Sequence, residues 1–311
     1  MKSFSDRYES ITLHMGAHRT GTSSLQACLH LADEALAANH IDLMAPPVFG
    51  LRDVANHRPF LNRAMRLAGK IERGGLIART VFSFQYDRAI DRLFDHSARN
   101  GKPGNSLLVS EENMLARAVL RENPATLYPL AGERLKQLAA LFGSNVNSVF
   151  LAIRPYPDFL LSYLAMANVY GDVKIGFEEL EQWLEGPFGG WPTLVDAIET
   201  NFPGTKIQIW PHEAFHLENR FVALTSLANT AFPNQRSIPG SNPSPTVEAI
   251  EAIRLAKKSG PLTRKARDEI VTEYQSGRAI RVEDYLSQKS VKMLELQYRS
   301  DLKELEHLIS R

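Results

Sequence analysis

Apolar positions along this chain follow two rhythms. Residues 11–15, 106–109, 148–153 and 206–210 form short, nearly continuous apolar runs rich in branched or aromatic side chains. Runs of this length and character suit strands buried on both faces of a parallel sheet. Elsewhere the spacing changes to three and four. Leu25, Cys28, Leu29, Ala32 and Leu36 predict a helix over 23–38, and Leu161, Leu164 and Ala165 predict another over 158–170. Strands alternating with helices predict an α/β fold, a central parallel sheet flanked by helices and joined by right-handed crossovers.

Two stretches depart from that alternation. Residues 52–100 read as helical and charged, with Leu61, Met65, Leu67 and Ile71 as the positions to bury. This insertion is either a plain helical crossover or a lid over a substrate, since connections often carry sites. Residues 240–311 read as a helical C-terminal region, with helices over 245–258, 263–274 and 289–309. The mixed charge there reads as a solvated face. No repeat and no Gly-, Pro- or Ser-rich linker divides the chain, so residues 1–311 are expected to form one domain.

Composition narrows the function classes. The chain has 311 residues, 44% hydrophobic and 23% charged, which excludes a disordered chain. Its net charge of +1 gives no reason to expect a nucleic-acid partner. One cysteine, Cys28, permits neither an internal disulfide nor a cysteine zinc cluster, and no metal site is expected. The first ten residues lack the apolar core of a signal peptide and no stretch approaches a membrane span, so the expected setting is cytoplasmic.

The chemistry begins where the first strand ends. Gly16 and Gly21 are separated by four residues, between a strand and a helix that opens near Thr22 or Ser23. Such a turn has the spacing of a phosphate loop, although Gly-rich turns also occur without a ligand: glycine lets the backbone approach an anion, and the free N–H groups and dipole of the helix start favour negative charge. Thr20, Thr22, Ser23 and Ser24 add hydroxyls at the same point. A nucleotide triphosphatase would place Lys and then Ser or Thr after the second glycine. Here Thr22 and Ser23 stand there and the cation is inside the loop, as Arg19. That grips an anion but weakens the ATP–Mg²⁺ arrangement.

The stretch from Gly16 to Gln26 resembles the 5′-phosphosulfate-binding loop of the sulfotransferases that use PAPS, 3′-phosphoadenosine 5′-phosphosulfate. It is most similar to the bacterial carbohydrate-sulfotransferase-like branch of this P-loop-type fold. The resemblance implies PAPS as co-substrate, with Arg19, Thr20, Gly21, Thr22, Ser23 and Ser24 around the 5′-phosphosulfate. The family usually has Lys where Arg19 stands, touching the oxygen that bridges phosphate and sulfate. Arg keeps the charge but presents a planar fork.

A second motif follows. The strand over 148–153 delivers Arg154 at its carboxyl end, Pro155 stops it, and a helix opens near Asp158. Ser162 follows eight residues after Arg154, which resembles the family's 3′-phosphate motif. Arg236, Gly240 and Asn242 are a further, weaker candidate for that phosphate.

Transfer to an acceptor also needs a group to take its proton. Glu111 and Glu112, just past the strand over 106–109, are the candidates, with Glu111 preferred. The alternative is a helix start with Ser110 as cap. His18 competes from within the loop, and His14, His57 and His212 are weaker. The implied acceptor is a hydroxyl or amine of a small molecule, saccharide or glycolipid. Two other readings stay open: a P-loop small-molecule kinase, and a non-catalytic nucleotide-binding protein on the same fold.

Overall fold

The computed structural model describes residues 2–17, 19–48, 56–97, 104–115, 127–170, 180–184, 189–214, 216–234, 238 and 244–309. Strands β1 (Ser10–Gly16), β2 (Ile41–Met44), β3 (Ser106–Ser110), β4 (Val146–Ile153) and β5 (Lys206–Pro211) form an all-parallel sheet in the order β2-β3-β1-β4-β5. This is the α/β architecture expected. Leu13 pairs with Val109 of β3 on one side and with Val149 of β4 on the other, which puts β1 at the centre.

Helices cover both faces. Ile11, Leu13 and Met15 of β1, with Val149, Leu151 and Ile153 of β4, belong to the larger core. That core also draws on α3 (Arg58–Arg73), α4 (Leu76–Ser97), α5 (Ala131–Phe142), α6 (Tyr156–Tyr170), α7 (Leu180–Leu184) and α8 (Trp191–Asn201). The opposite face presents Phe150, Ala152 and Trp210 to α1 (Thr22–Leu31), α2 (Asp33–Ala38) and α9 (Leu217–Thr225). Alternate strand residues thus serve different layers, as a pleat buried on both sides requires. The chain ends with α10 (Val247–Lys258), α11 (Arg264–Glu273) and α12 (Gln288–Glu304).

Three sequence expectations need correction. β2 is a fifth strand that the apolar pattern misses, because it has four residues and carries Asp42. Asp42 is nonetheless 4% exposed. It accepts hydrogen bonds from the Tyr8 hydroxyl at 2.8 Å and the Gly104 amide at 3.1 Å, which satisfies a buried carboxylate. The helix predicted over 23–38 breaks at Ala32, whose ψ of 16° ends α1 and starts α2. The helix predicted to run to 309 stops at Glu304, and Ile309 forms a parallel bridge to Ile209 of β5.

Within 52–100, residues 56–97 form the α3–α4 hairpin on the crossover from β2 to β3, while 52–55 and 98–100 lie outside the described residues. Leu61, Met65, Leu67 and Ile71 are all buried there.

The strand order sets the site. The connection from β1 runs towards β2, whereas that from β4 runs towards β5. Between β1 and β4 the crossovers diverge, and in open α/β sheets the carboxyl ends of strands at such a point are where ligands bind. The glycine loop leaves β1 there, and Arg154 leaves β4 there.

Candidate active site

The loop from Gly16 to Gly21 is shaped by contacts that leave little freedom. A Cβ on Gly16 would lie 2.0 Å from the Thr22 Oγ1. Gly21, the cap of α1, has φ +81° and Arg19 has φ +67°, so the turn uses the left-handed region twice. We predict that Gly16→Ala lowers stability by about 1–3 kcal/mol, the usual cost of overpacking. Adding Thr22→Ala should restore most of that loss in denaturant unfolding. A Gly16→Ala chain as stable as the parent would contradict this geometry.

The loop's carbonyls are held from behind. The Thr20 hydroxyl donates to the Ala17 carbonyl at 2.6 Å. Arg154 Nη1 donates to the Arg19 carbonyl at 3.1 Å. Arg220 Nη1 donates to the Thr20 carbonyl at 2.8 Å, and His212 Nδ1 reaches the same oxygen at 3.2 Å. The same Nδ1 lies 3.5 Å from Arg220 Nη2, so the Thr20 carbonyl and the guanidinium compete for that nitrogen. Burial first, then the charges of Arg220 and Arg154, lower the His212 pKa. Among the described residues, the N–H groups of Gly21, Thr22 and Ser23 meet no protein acceptor. The Ser23 and Ser24 hydroxyls, half-buried on the same turn, make no hydrogen bond there either. Carbonyls tied back and amides left free make a cradle for an anion.

The two sequence motifs meet above this loop. Arg19 Nε donates to the Ser162 hydroxyl at 2.8 Å, and Arg19 Nη2 to the Ser244 hydroxyl at 3.0 Å. Ser162 and Ser244 lie 2.9 Å apart, oxygen to oxygen. Burial, and next the charge of Arg154, pull the Arg19 pKa below its usual value, while Glu112 and Tyr170 oppose that shift. No carboxylate pairs with Arg154 or Arg220 among the described residues, and Arg220 is 4% exposed. Buried guanidiniums without a carboxylate are costly unless a ligand supplies the negative charge.

The end of β4 is braced as well. The Trp191 indole donates to the Arg154 carbonyl at 3.0 Å, and the Trp191 amide to the Tyr156 hydroxyl at 2.6 Å. Tyr156 in turn donates to the buried carboxylate of Asp301 on α12.

The two glutamates differ sharply. Glu111 is 1% exposed, and Arg58 holds its carboxylate in a fork at 2.7 and 2.9 Å. The Asn113 amide and side chain each donate to the same carboxylate at 3.0 Å. His57 Nε2 stands 3.6 Å away, beyond hydrogen-bond distance. Burial alone would raise the Glu111 pKa, but His57, the Arg58 fork and the Asn113 amide outweigh it and hold the group at about 2. Glu112 is half-buried, and among the described residues its one ion pair is with Arg58 at 3.5 Å.

Glu111 therefore ties stability to acid. Its folded pKa lies below the unfolded value, so its contribution is full above about pH 4.5 and fades as pH falls towards about 2. The shift corresponds to about 3 kcal/mol. Unfolding measured at pH 6 and pH 3 should show a steeper acid loss for the parent than for Glu111→Gln; equal losses would contradict the pairing.

Several expectations land elsewhere. His18, Arg236, Gly240 and Asn242 lie outside the described residues. His14 is a core residue, 1% exposed, with its Nδ1 2.8 Å from the Ser110 hydroxyl and its pKa lowered to about 3 by burial. Arg220 and Ser244 are site residues that the motifs do not reveal. The signal for Arg220 is faint: a charge on the stripe formed by Leu217, Phe221 and Leu224.

The chain matches no family model and no curated protein. Among solved structures it is similar to a sulfotransferase from Alicyclobacillus acidocaldarius, with 12% identity and a TM-score of 0.41. That likeness covers 86% of this chain and 96% of the other. At that score it bears on neither activity nor substrate. No helix of the described residues is long and apolar enough to cross a membrane.

Proposed function

We propose that this chain is a sulfotransferase that uses PAPS to modify a hydroxyl or amine on a small-molecule or glycan acceptor. One observation carries the reading: Arg154 and Ser162 both meet Arg19 of the loop, beside the ends of the adjacent strands β1 and β4. The free amides of Gly21, Thr22 and Ser23 and the Ser23 and Ser24 hydroxyls suit a 5′-phosphosulfate. Arg154 and Ser162 suit a 3′-phosphate, the first by its fork and the second by a hydroxyl. Thr20 shapes the loop through its bond to Ala17. The bound donor supplies the sulfuryl group: its bond to the bridging phosphate oxygen breaks as one to the acceptor oxygen or nitrogen forms. Arg19 stabilises charge on the leaving side.

We assign the proton-accepting role to Glu112. Glu111 already accepts four hydrogen bonds, so its part is to fix Arg58 and the turn at Asn113. Glu112 keeps an oxygen without a protein partner among the described residues and lies within electrostatic reach of Arg19. His18 remains the second candidate for that role, from its place in the loop.

A kinase reading finds less support. The loop position where a kinase needs Lys is Thr22, and its Oγ1 is buried against Gly16 without a hydrogen-bond partner among the described residues. The direct test is release of the 3′,5′-bisphosphate from PAPS in the presence of saccharide hydroxyl and amine acceptors. Acceptor-dependent release supports the proposal. Acceptor-dependent formation of ADP from ATP with Mg²⁺ would replace it with the kinase reading.

A further inference from the structure

A groove of about 140 Å³ opens between α3 and α4, remote in kind from the loop cradle. Its walls include Phe60, Arg63, Phe84, Gln85, Arg88 and Arg92. The Arg88 guanidinium lies 5.6 Å from the Phe84 ring centre, and that of Arg92 lies 5.8 Å from the Phe60 ring centre. Phe84 is 66% exposed, whereas Phe60 is half-buried. Arg63, Arg88 and Arg92 make no hydrogen bond or ion pair among the described residues.

Acids are available on the same hairpin, so this isolation is a sorting of charge. Asp87 and Asp91 are taken up by Lys2, whose backbone and side chain they bind at 2.8 and 2.6 Å. Arg58 and Arg73 have carboxylate partners in Glu111 and Glu133. Residues 58–97 carry eight Lys or Arg against four Asp or Glu, in a chain whose net charge is +1. Stacking on the rings holds the forks of Arg88 and Arg92 in place, so less freedom is lost when they meet a carboxylate or sulfate.

We propose that this groove binds an acidic saccharide chain, one with uronate or sulfate groups along its length. Three unpaired guanidiniums call for several anionic groups, and the open face of Phe84 and the amide of Gln85 suit the C–H face and hydroxyls of a sugar ring. The groove is concave with one ring recessed, which suits a chain entering between two helices more than a flat bilayer. At 100° per residue, Phe60 and Arg63 lie roughly opposite Arg58 on α3, so the groove faces away from Glu111. The site is thus an anchoring surface separate from the reacting centre, and it stands whether or not the transfer reaction does.

The test is calorimetric binding of an oligogalacturonate hexamer to the full chain, with neutral maltohexaose as control. Arg63→Gln, Arg88→Gln and Arg92→Gln combined should weaken oligogalacturonate binding by at least about tenfold, and Phe84→Ala should weaken it several-fold. Binding of 3′-phosphoadenosine 5′-phosphate by the triple variant should be unchanged, which separates this surface from the nucleotide site. Added salt should weaken the saccharide complex, because the contacts are exposed. The proposal is overturned if the hexamer does not bind, or binds the triple variant equally well. It is also overturned if phosphatidylglycerol vesicles or a short DNA duplex bind this surface more tightly.

Discussion

Arg154→Ala is expected to weaken binding of 3′-phosphoadenosine 5′-phosphate by roughly 10- to 100-fold, the worth of a charge-assisted hydrogen bond to a phosphate. Adenosine 5′-phosphate, which lacks the 3′ group, should lose much less. A small common loss is expected for both, because Arg154 also donates to the Arg19 carbonyl and helps shape the loop. Arg154→Lys sharpens the test. It keeps the charge but not the fork, so it should fall between the parent and the alanine variant. Equal losses for the two nucleotides would mean that Arg154 acts only through the loop and that the 3′-phosphate reading is wrong. The Arg154 side chain has no carboxylate partner among the described residues, so its removal leaves no orphaned acid to confuse the result.

Glu112→Gln is expected to lower turnover by about 10²–10⁴-fold, the range for a positioned general base, with donor affinity unchanged or slightly higher. The rise would follow from removing a negative charge near the anion, since Glu112 acts on Arg19. Glu111→Gln should behave differently. It removes the carboxylate that Arg58 grips at 2.7 and 2.9 Å and so disturbs α3, the Asn113 turn and stability together. Kinetics of both variants, with unfolding curves beside them, separate the two roles. If Glu112→Gln turns over normally while Glu111→Gln is stable and inactive, the assignments exchange. If both turn over, the proton goes to a group in the loop such as His18.

The sheet's central strands were legible in the sequence because burial on both faces leaves nearly continuous apolar runs. β2 was not, since a four-residue edge strand holding Asp42 carries no such run. Asp42 is tolerated by contacts with Tyr8 and Gly104 that lie far away in sequence. The loop and Arg154 were legible through local geometry: glycines where the backbone turns, a proline where a strand must stop. Their meeting was not, because it depends on strand order, which a sequence pattern leaves open. Glu111 shows the same limit. Two adjacent glutamates past a strand look alike, and only the position of Arg58, more than fifty residues earlier, distinguishes a fixed anchor from an available carboxylate. Arg220 and Ser244 fall outside any motif, and they come to the loop only through packing of α9 and of the segment before α10.

The proposed function requires that the residues between β1 and β4 take a 3′,5′-bisphosphorylated nucleotide without a metal. The measurement that tests it most directly is calorimetric binding of 3′-phosphoadenosine 5′-phosphate beside ATP, each with and without Mg²⁺. Tight binding of the bisphosphate that Mg²⁺ does not change is expected, with ATP weak in both conditions. Tight binding of ATP that requires Mg²⁺, with the bisphosphate weak, would contradict it.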